Sequence, residues 1–301
     1  MDNPWFDVII IGAGPAGLNA ALVLGRCRRR VLVCDAGRPR NAASHGLHNY
    51  LTRDGIDPTE FLRLGRDELK SYETVKLLTI AASDARRMEN GFEVTLSNGE
   101  RAVTRKLLVA TGVVDDLPKV PGLELLYGRS VFHCPYCDGW EMRDQPLAVY
   151  GKGENGLGLA LELILWSRDL VLCTDGPSQL SAEDLERLAQ HNIPVREEQI
   201  LRLEGKDGIL EKIVFADGKA IERLGMFFST GQRQASELPQ KLGCVFTEHG
   251  CVATGEYEAT NIPGLYVAGD ASRLVQFVIV AASEGAQAAV AINKELMKED
   301  L

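Results

Sequence analysis

The sequence has no surplus of positive charge. Its 33 Lys and Arg are outnumbered by 42 Asp and Glu, a formal net charge of −9 over 301 residues. Such a surface repels phosphate backbones, so nucleic acid is not an expected partner. Long apolar runs are also missing: the most hydrophobic stretch, residues 8–24, is interrupted by Gly12, Gly14, Pro15 and Gly17. That stretch follows the acidic Asp2 rather than a basic cluster, and neither a leader peptide nor a membrane helix is expected there. Nor do the cysteines form a disulfide framework. Seven are scattered as Cys27, Cys34, Cys134, Cys137, Cys173, Cys244 and Cys251, and only one pair has a motif spacing. This usage predicts a reducing, cytoplasmic setting in which most thiols are small core residues.

What is present is one phrase written twice. DVIIIGAGPAGLNAALVLG runs from a β-branched strand through Gly12-x-Gly14-x-x-Gly17 into a helix, and PLAVYGKGENGLGLALELILW repeats the plan through Gly151-x-Gly153-x-x-Gly156. Each helix leads to a second apolar strand ending near an acid, Asp35 in the first copy and Asp175 in the second. These lie 18 and 19 residues past the third glycine. The dinucleotide fingerprint needs this spacing: the first Gly makes the turn, the second admits a pyrophosphate to the backbone, and the third lets the helix pack on the strand. The helix N-terminus then offers unpaired N–H groups and partial positive charge to the phosphates. A glycine-rich turn without a ligand is the alternative reading, and it carries more weight for the second copy.

A hairpin is expected around Asn98-Gly99, followed by a strand ending in Ala110-Thr111-Gly112; a similar strand closes the second unit near Thr230-Gly231. The C-terminal segment has a strand ending at Gly269-Asp270 and then an Ala-rich helix, but no nucleotide loop of its own. It therefore completes the first unit. The expected class is α/β: two three-layer, Rossmann-like dinucleotide-binding domains, the second (115–236) inserted into the first (1–114 and 237–301).

Just before the second loop stands His133-Cys134-Pro135-Tyr136-Cys137-Asp138-Gly139. Thiols two residues apart can cycle between disulfide and dithiol, and an adjacent carboxylic acid can manage the accompanying proton. A zinc site would need four ligands, and the other pair at ligand spacing, His45-x-x-His48, is far upstream. No metal is expected; an unreactive pair of turn cysteines is the remaining alternative.

Taken together in this order, IGAGPAGLNAA, HNY, LLVATG, CPYCDG, GKGENG and TNIPGLYVAGD resemble the low-molecular-weight thioredoxin reductases and the wider flavin disulfide reductase family, over essentially the whole chain. The resemblance implies FAD as cofactor. It implies that Gly12, Gly14, Pro15, Ala16 and Gly17 hold the pyrophosphate, Asp35 the adenosine ribose, and Asn49 and Ala110-Thr111-Gly112 the flavin side. Gly269-Asp270 would meet the ribityl or pyrophosphate region, and the helix starting at Gln276, Phe277 and Val278 would aim its N-terminus at the pyrimidine side of the ring. Cys137 would face the flavin, Cys134 would exchange with the partner disulfide, and Asp138 would be the acid/base. A homodimer and a thioredoxin-like protein or small dithiol or disulfide as partner are further implications.

The sequence departs from that family where NADPH would bind. In place of a basic phrase after the second strand it reads Cys173-Thr174-Asp175-Gly176-Pro177-Ser178-Gln179-Leu180, without Arg or Lys. An acid there suits a free 2′-hydroxyl and repels a 2′-phosphate, so NADPH is expected to be a poor reductant. Lys152 can either approach a phosphate or be a solvated turn residue. His48 replaces the family's Glu, Val275-Gln276-Phe277 replaces Arg-Gln-Ala, and His45, His48 and His133 stand in or beside flavin-assigned blocks as bases or as packing residues. These departures resemble a divergent branch that includes dithiol oxidases passing electrons to oxygen and reductases fed by ferredoxin. By family weight, reduction of a thioredoxin-like protein leads, oxidation of a small dithiol follows, and a flavin-bound redox sensor without turnover is the third reading.

Overall fold

A computed structural model describes residues 5–301; Asp2 lies outside the described residues. The chain forms two compact units, one of Met1–Ala42, Asn49–Val114 and Arg233–Leu301, the other of Ala43–His48 and Asp115–Gln232. This grouping differs from the expected division in two places. The segment Ala43–His48 clusters with the second unit, and the return crossing falls at Gln232–Arg233 rather than at 236–237.

The first unit begins with β1 (Trp5–Ile11), α1 (Pro15–Arg26) and β2 (Val31–Cys34), then α2 (Pro58–Leu69), β3 (Val75–Leu78), β4 (Ala82–Met88), β5 (Gly91–Leu96) and β6 (Arg101–Val109). Strands β3, β2, β1 and β6 are parallel neighbours, while β4, β5 and the start of β6 form an antiparallel meander. Alternation along β1 separates two cores. Val8 and Ile10 pack with α1, and Ile9 and Ile11 pack with Phe92, Val94 and Leu96 of the meander. Burial on both faces explains the unbroken apolar run, as parallel strands require. The expected hairpin is present: Gly99 takes φ +86° and its N–H donates to Leu96 O.

The chain passes through β7 (Val113–Asp115) into the second unit: β8 (Val131–Phe132), α3 (Pro135–Asp138), β9 (Leu147–Tyr150), α4 (Gly153–Glu162), β10 (Leu170–Cys173), α5 (Ala182–Gln190), β11 (Val195–Arg196), β12 (Ile200–Lys206), β13 (Ile209–Phe215), β14 (Ala220–Glu222) and β15 (Gly225–Phe228). Its parallel sheet has the order β11-β10-β9-β15-β8, and β12, β13 and β14 form a separate antiparallel sheet. The layering repeats that of the first unit. Leu147, Val149 and Leu172 pack with α4 and α5, whereas Ala148, Val171 and Cys173 pack with Ile200, Leu203, Ile213 and Phe215. Ser181 and Asp184 close α5 with a capping box.

The chain returns through β16 (Gln232–Gln234) and α6 (Leu238–Lys241) to β17 (Leu265–Val267), which pairs in parallel with the end of β6, and finishes in α7 (Val278–Asp300). Helices α1 and α7 cross closely because Gly285 has no side chain: a Cβ there would lie 2.0 Å from Ala16 O. No helix among the described residues is long and apolar enough to cross a membrane.

Candidate functional site

At the first fingerprint, two glycines are demanded by packing. Gly12 adopts φ +104°, and a Cβ on it would meet Ala110 O at 2.3 Å; one on Gly17 would meet Gly12 O at 1.9 Å. Gly14 is different. It is the N-cap of α1 with ordinary backbone angles, no side chain caps the helix, and a Cβ would meet nothing within 4 Å. Pro15 fills the first helical position, where a missing N–H costs nothing. Asp35 ends the second strand, its Oδ1 accepting from Ala13 N at 3.2 Å and its Oδ2 paired with Arg66 at 2.9 Å.

The other residues assigned to a flavin converge on the same unit. Gly112 has φ +67° and its carbonyl accepts from Ala235 N. The buried Thr111 Oγ1 has no hydrogen-bond partner, an arrangement that leaves a donor and acceptor for a ligand, since buried polar atoms are seldom left unpaired. The Asp270 carboxylate and the Gln276 side-chain oxygen both take Arg40, at 2.9 and 2.6 Å. Phe277 is the N-cap of α7, and no side chain caps that helix either. Asn49 holds φ +65° with its N–H on Asp54 Oδ1 at 2.8 Å. The space before Gly14 and the orphaned Thr111 hydroxyl fit FAD. Gly12, Gly14, Pro15, Ala16, Gly17, Thr111 and Asp270 would hold it, with Arg40 and Arg66 supporting the two carboxylates.

In the second unit Cys134 and Cys137 are joined as a disulfide, with Cα atoms 5.3 Å apart. Cys134 is the N-cap of the single-turn α3, Pro135 is its first residue, and Asp138 N donates to Cys134 O. Gly139 packs beneath Trp166, where a Cβ would clash at 2.8 Å, and the Tyr136 ring meets Trp166 edge-on at 5.6 Å. Asp138 is half-buried, and burial, reinforced by Glu141, pushes its carboxyl up to about 7 against the opposing effect of His48. It can therefore exchange a proton near neutrality. His48, expected in a flavin block, groups instead with this unit, 3.6 Å from Glu141, and His45 is exposed. His133 Nδ1 lies 3.3 Å from Tyr127 Oη and 3.9 Å from Asp115, with Tyr127 donating to Asp115. No three metal-ligating side chains gather among the described residues. The other core thiols behave as packing groups: burial pushes Cys34 and Cys173 up to about 12.

The second fingerprint packs like the first but presents a different end. A Cβ on Gly156 would meet Gly151 C at 2.6 Å, so these two glycines again serve the helix–strand contact. Gly153, however, has φ +53° and gives its N–H to Ser178 O at 2.9 Å, with Gln179 alongside. The base-free loop thus folds over the start of α4. Asp175, like Asp35, is hydrogen-bonded within the protein. Its Oδ1 accepts from Ile200 N and its Oδ2 from Tyr150, whose hydroxyl is held neutral because burial, aided by Asp175, pushes it up to about 12. Lys152 is an exposed residue at the start of α4, and its Nζ donates to Asp175 O at 3.0 Å.

Sequence reasoning missed Arg40, Arg66 and the loop closure. The two arginines lie outside every recognised block, and backbone carbonyls such as Ser178 O leave no mark in side-chain code.

Comparison with known proteins agrees with this geometry. The pyridine nucleotide-disulphide oxidoreductase family model matches residues 6–285. A probable thioredoxin reductase of Arthroderma benhamiae is 30% identical, over 98% of this chain and 81% of its own length. Thioredoxin reductase of Aquifex aeolicus is also 30% identical, over 97% and 93%. The crystal structure of HlmI superposes with a TM-score of 0.94 at 37% identity, covering 98% of this chain and 93% of that one. The chain belongs to the pyridine nucleotide-disulphide oxidoreductases, as an FAD-dependent disulfide oxidoreductase of thioredoxin reductase type.

Proposed function

We propose that electrons enter at Cys134/Cys137 from a dithiol substrate and leave through FAD to oxygen, so that the enzyme works as a dithiol oxidase. The observation that carries this reading is the second fingerprint, whose Gly153 N–H is taken by Ser178 O and whose loop has no base for a 2′-phosphate. A substrate thiolate attacks Cys134 Sγ, breaking the Cys134–Cys137 bond and releasing the Cys137 thiolate. The second substrate thiol then attacks the substrate sulfur held on Cys134, so the substrate leaves as a disulfide and both cysteines are reduced. Asp138 supplies a proton to the departing Cys137 sulfur and takes it back when the pair reoxidises. FAD, when bound, would supply a two-electron acceptor for the cysteine pair, with oxygen as the final acceptor and hydrogen peroxide as its product.

A second reading, reduction of a thioredoxin-like disulfide, is favoured by the names of the relatives. It needs a reductant for the flavin other than NADPH, with ferredoxin as the candidate class. In either direction the flavin-binding unit is the part we assign to a homodimer interface, and the cysteine usage assigns the enzyme to the cytoplasm. Turnover of a small dithiol in air tests the first reading: one hydrogen peroxide should form per disulfide. Flavin left oxidised by excess dithiol without oxygen would overturn it.

A further inference from the structure

Behind the Gly269-Asp270 turn lies a cluster of charge that neither the redox chemistry nor the fingerprint uses. Glu284, on the second turn of α7, is 3% exposed, yet its Oε2 accepts from Gly269 N at 2.7 Å and its Oε1 takes Arg273 Nε at 2.6 Å. The same guanidinium reaches the buried Glu258 through a second nitrogen and Thr254 Oγ1 through a third. Glu258 comes from a turn in which Tyr257 and Glu258 itself both have positive φ, 54° and 66°. Two successive non-glycine residues in the left-handed region are strained, and such strain persists where the surroundings enforce a particular placement. Here the placement delivers a carboxylate to Arg273.

The turn that this cluster grips is narrow. Gly269 has φ +82°, and a Cβ on it would lie 3.2 Å from Ala16 Cβ of α1 and 3.6 Å from Ala281 Cβ of α7. It is therefore wedged between the two helices whose uncapped N-termini are assigned to the cofactor, one residue before Asp270. Arg273 also bears on the far end of the turn, where its carbonyl accepts from Gln276 Nε2 at 3.0 Å. The cluster borders a surface cavity of about 320 Å³ lined by Arg273, Glu258, Glu284, Ser283 and Gln287.

We infer that Glu284, acting through the Gly269 N–H and the Arg273 fork, is a positioning residue that locks the Gly269-Asp270 turn in its cofactor-binding form. The inference rests on the assignment of Asp270 to FAD. A forked guanidinium is needed, because lysine cannot bond Glu284, Glu258 and Thr254 in one plane. Burial, with the neighbouring Glu258 charge, pushes Glu284 up to about 7 against the hold of Arg273 and Gly269 N–H. Below that pH the carboxylate takes a proton and its grip on Arg273 weakens. Arg273 and Glu258 are the charged neighbours that other elements bring to Glu284, and Thr254 is hydrogen-bonded to both of them.

The test is the rate at which FAD leaves the holoenzyme, followed by flavin fluorescence. Glu284→Gln should speed release roughly 10- to 100-fold, the range for a lost hydrogen bond to a charged group. Arg273→Lys, which keeps the charge, should act in the same direction. Wild-type release should quicken as pH falls through about 7, and the Gln variant should lose that step, keeping only the response of Glu258, which burial also raises; loss of fold alone would not remove the step near 7. Asp270→Asn is the control for the underlying assignment. If Asp270→Asn speeds release while Glu284→Gln and Arg273→Lys leave it unchanged, the positioning role is wrong and the cofactor assignment stands. If Asp270→Asn also leaves it unchanged, both fall.

Discussion

The two glycine fingerprints of this chain solve the same packing problem and then diverge. In both, the first and third glycines bring the helix against the strand, as Gly12 with Gly17 and Gly151 with Gly156. Only the first leaves its middle glycine facing open space; the second gives the Gly153 N–H to its own loop. The first turn of α1 has no acid, whereas α4 carries Glu154 there, a charge that suits a helix N-terminus but competes with an incoming phosphate. The acids at the strand ends do not discriminate, since Asp35 and Asp175 are both hydrogen-bonded within the protein. A fingerprint is thus first a way to pack a helix on a sheet, and here only the first keeps its middle position open.

The two units differ most visibly at the thiols, which only the second carries as a Cys-x-x-Cys disulfide. Cys137→Ser should abolish turnover while Cys134 remains alkylatable and traps a mixed disulfide with substrate. Cys134→Ser should instead show a long-wavelength absorption band that rises with pH, as the Cys137 thiolate donates charge to oxidised flavin. Bands and trapping in the opposite variants would reverse the assignment.

Next in size is a matched pair of substitutions. Gly14→Val adds a side chain that the protein itself has room for, at φ −74°, so the variant should fold but purify without FAD. Gly153→Ala should keep FAD and dithiol turnover, and lose only the roughly 1–2 kcal/mol of stability expected for a side chain at positive φ. Flavin content and a denaturant midpoint decide both.

A smaller effect is expected at Asp138. Asp138→Asn should slow exchange by roughly 10²–10⁴. Because burial holds the carboxyl up to about 7, the acid is protonated below that pH, and the wild-type advantage should shrink as pH rises through it. The same shift has a stability consequence. A carboxyl with a raised folded pKa contributes stability below its unfolded value and loses it as pH rises through the folded one. Above pH 7, Asp138→Asn should therefore be more resistant to denaturant than wild type, and a pH series of unfolding curves checks the sign.

Much of this organisation was legible in the sequence, because strands buried on both faces, glycine spacing and the Cys-x-x-Cys are all local signals. The order of blocks also told that the C-terminal strand and helix complete the first sheet, as β17 beside β6 does. What was not legible depends on chain segments meeting at a distance. The Asp35–Arg66 and Asp270–Arg40 pairs join residues with no shared motif, and Glu284 looks like one acid on an Ala-rich helix until Gly269 and Arg273 are placed beside it. The segment Ala43–His48 lies in sequence inside the first unit, but packing assigns it to the other, where His48 meets Glu141. Asp175 and Lys152 bond to backbone groups from other segments, Ile200 N of β12 and Asp175 O, which side-chain code does not announce.

Anaerobic mixing of the yellow holoenzyme with NADPH, NADH or dithiothreitol decides whether the second dinucleotide fold serves as the electron entry or has only kept its shape. Dithiothreitol should bleach the flavin through Cys134 and Cys137, while NADPH leaves it oxidised and NADH acts slowly or not at all. Rapid bleaching by micromolar NADPH, undiminished in a Cys134→Ser, Cys137→Ser double variant, would mean that the second fold is the electron entry after all.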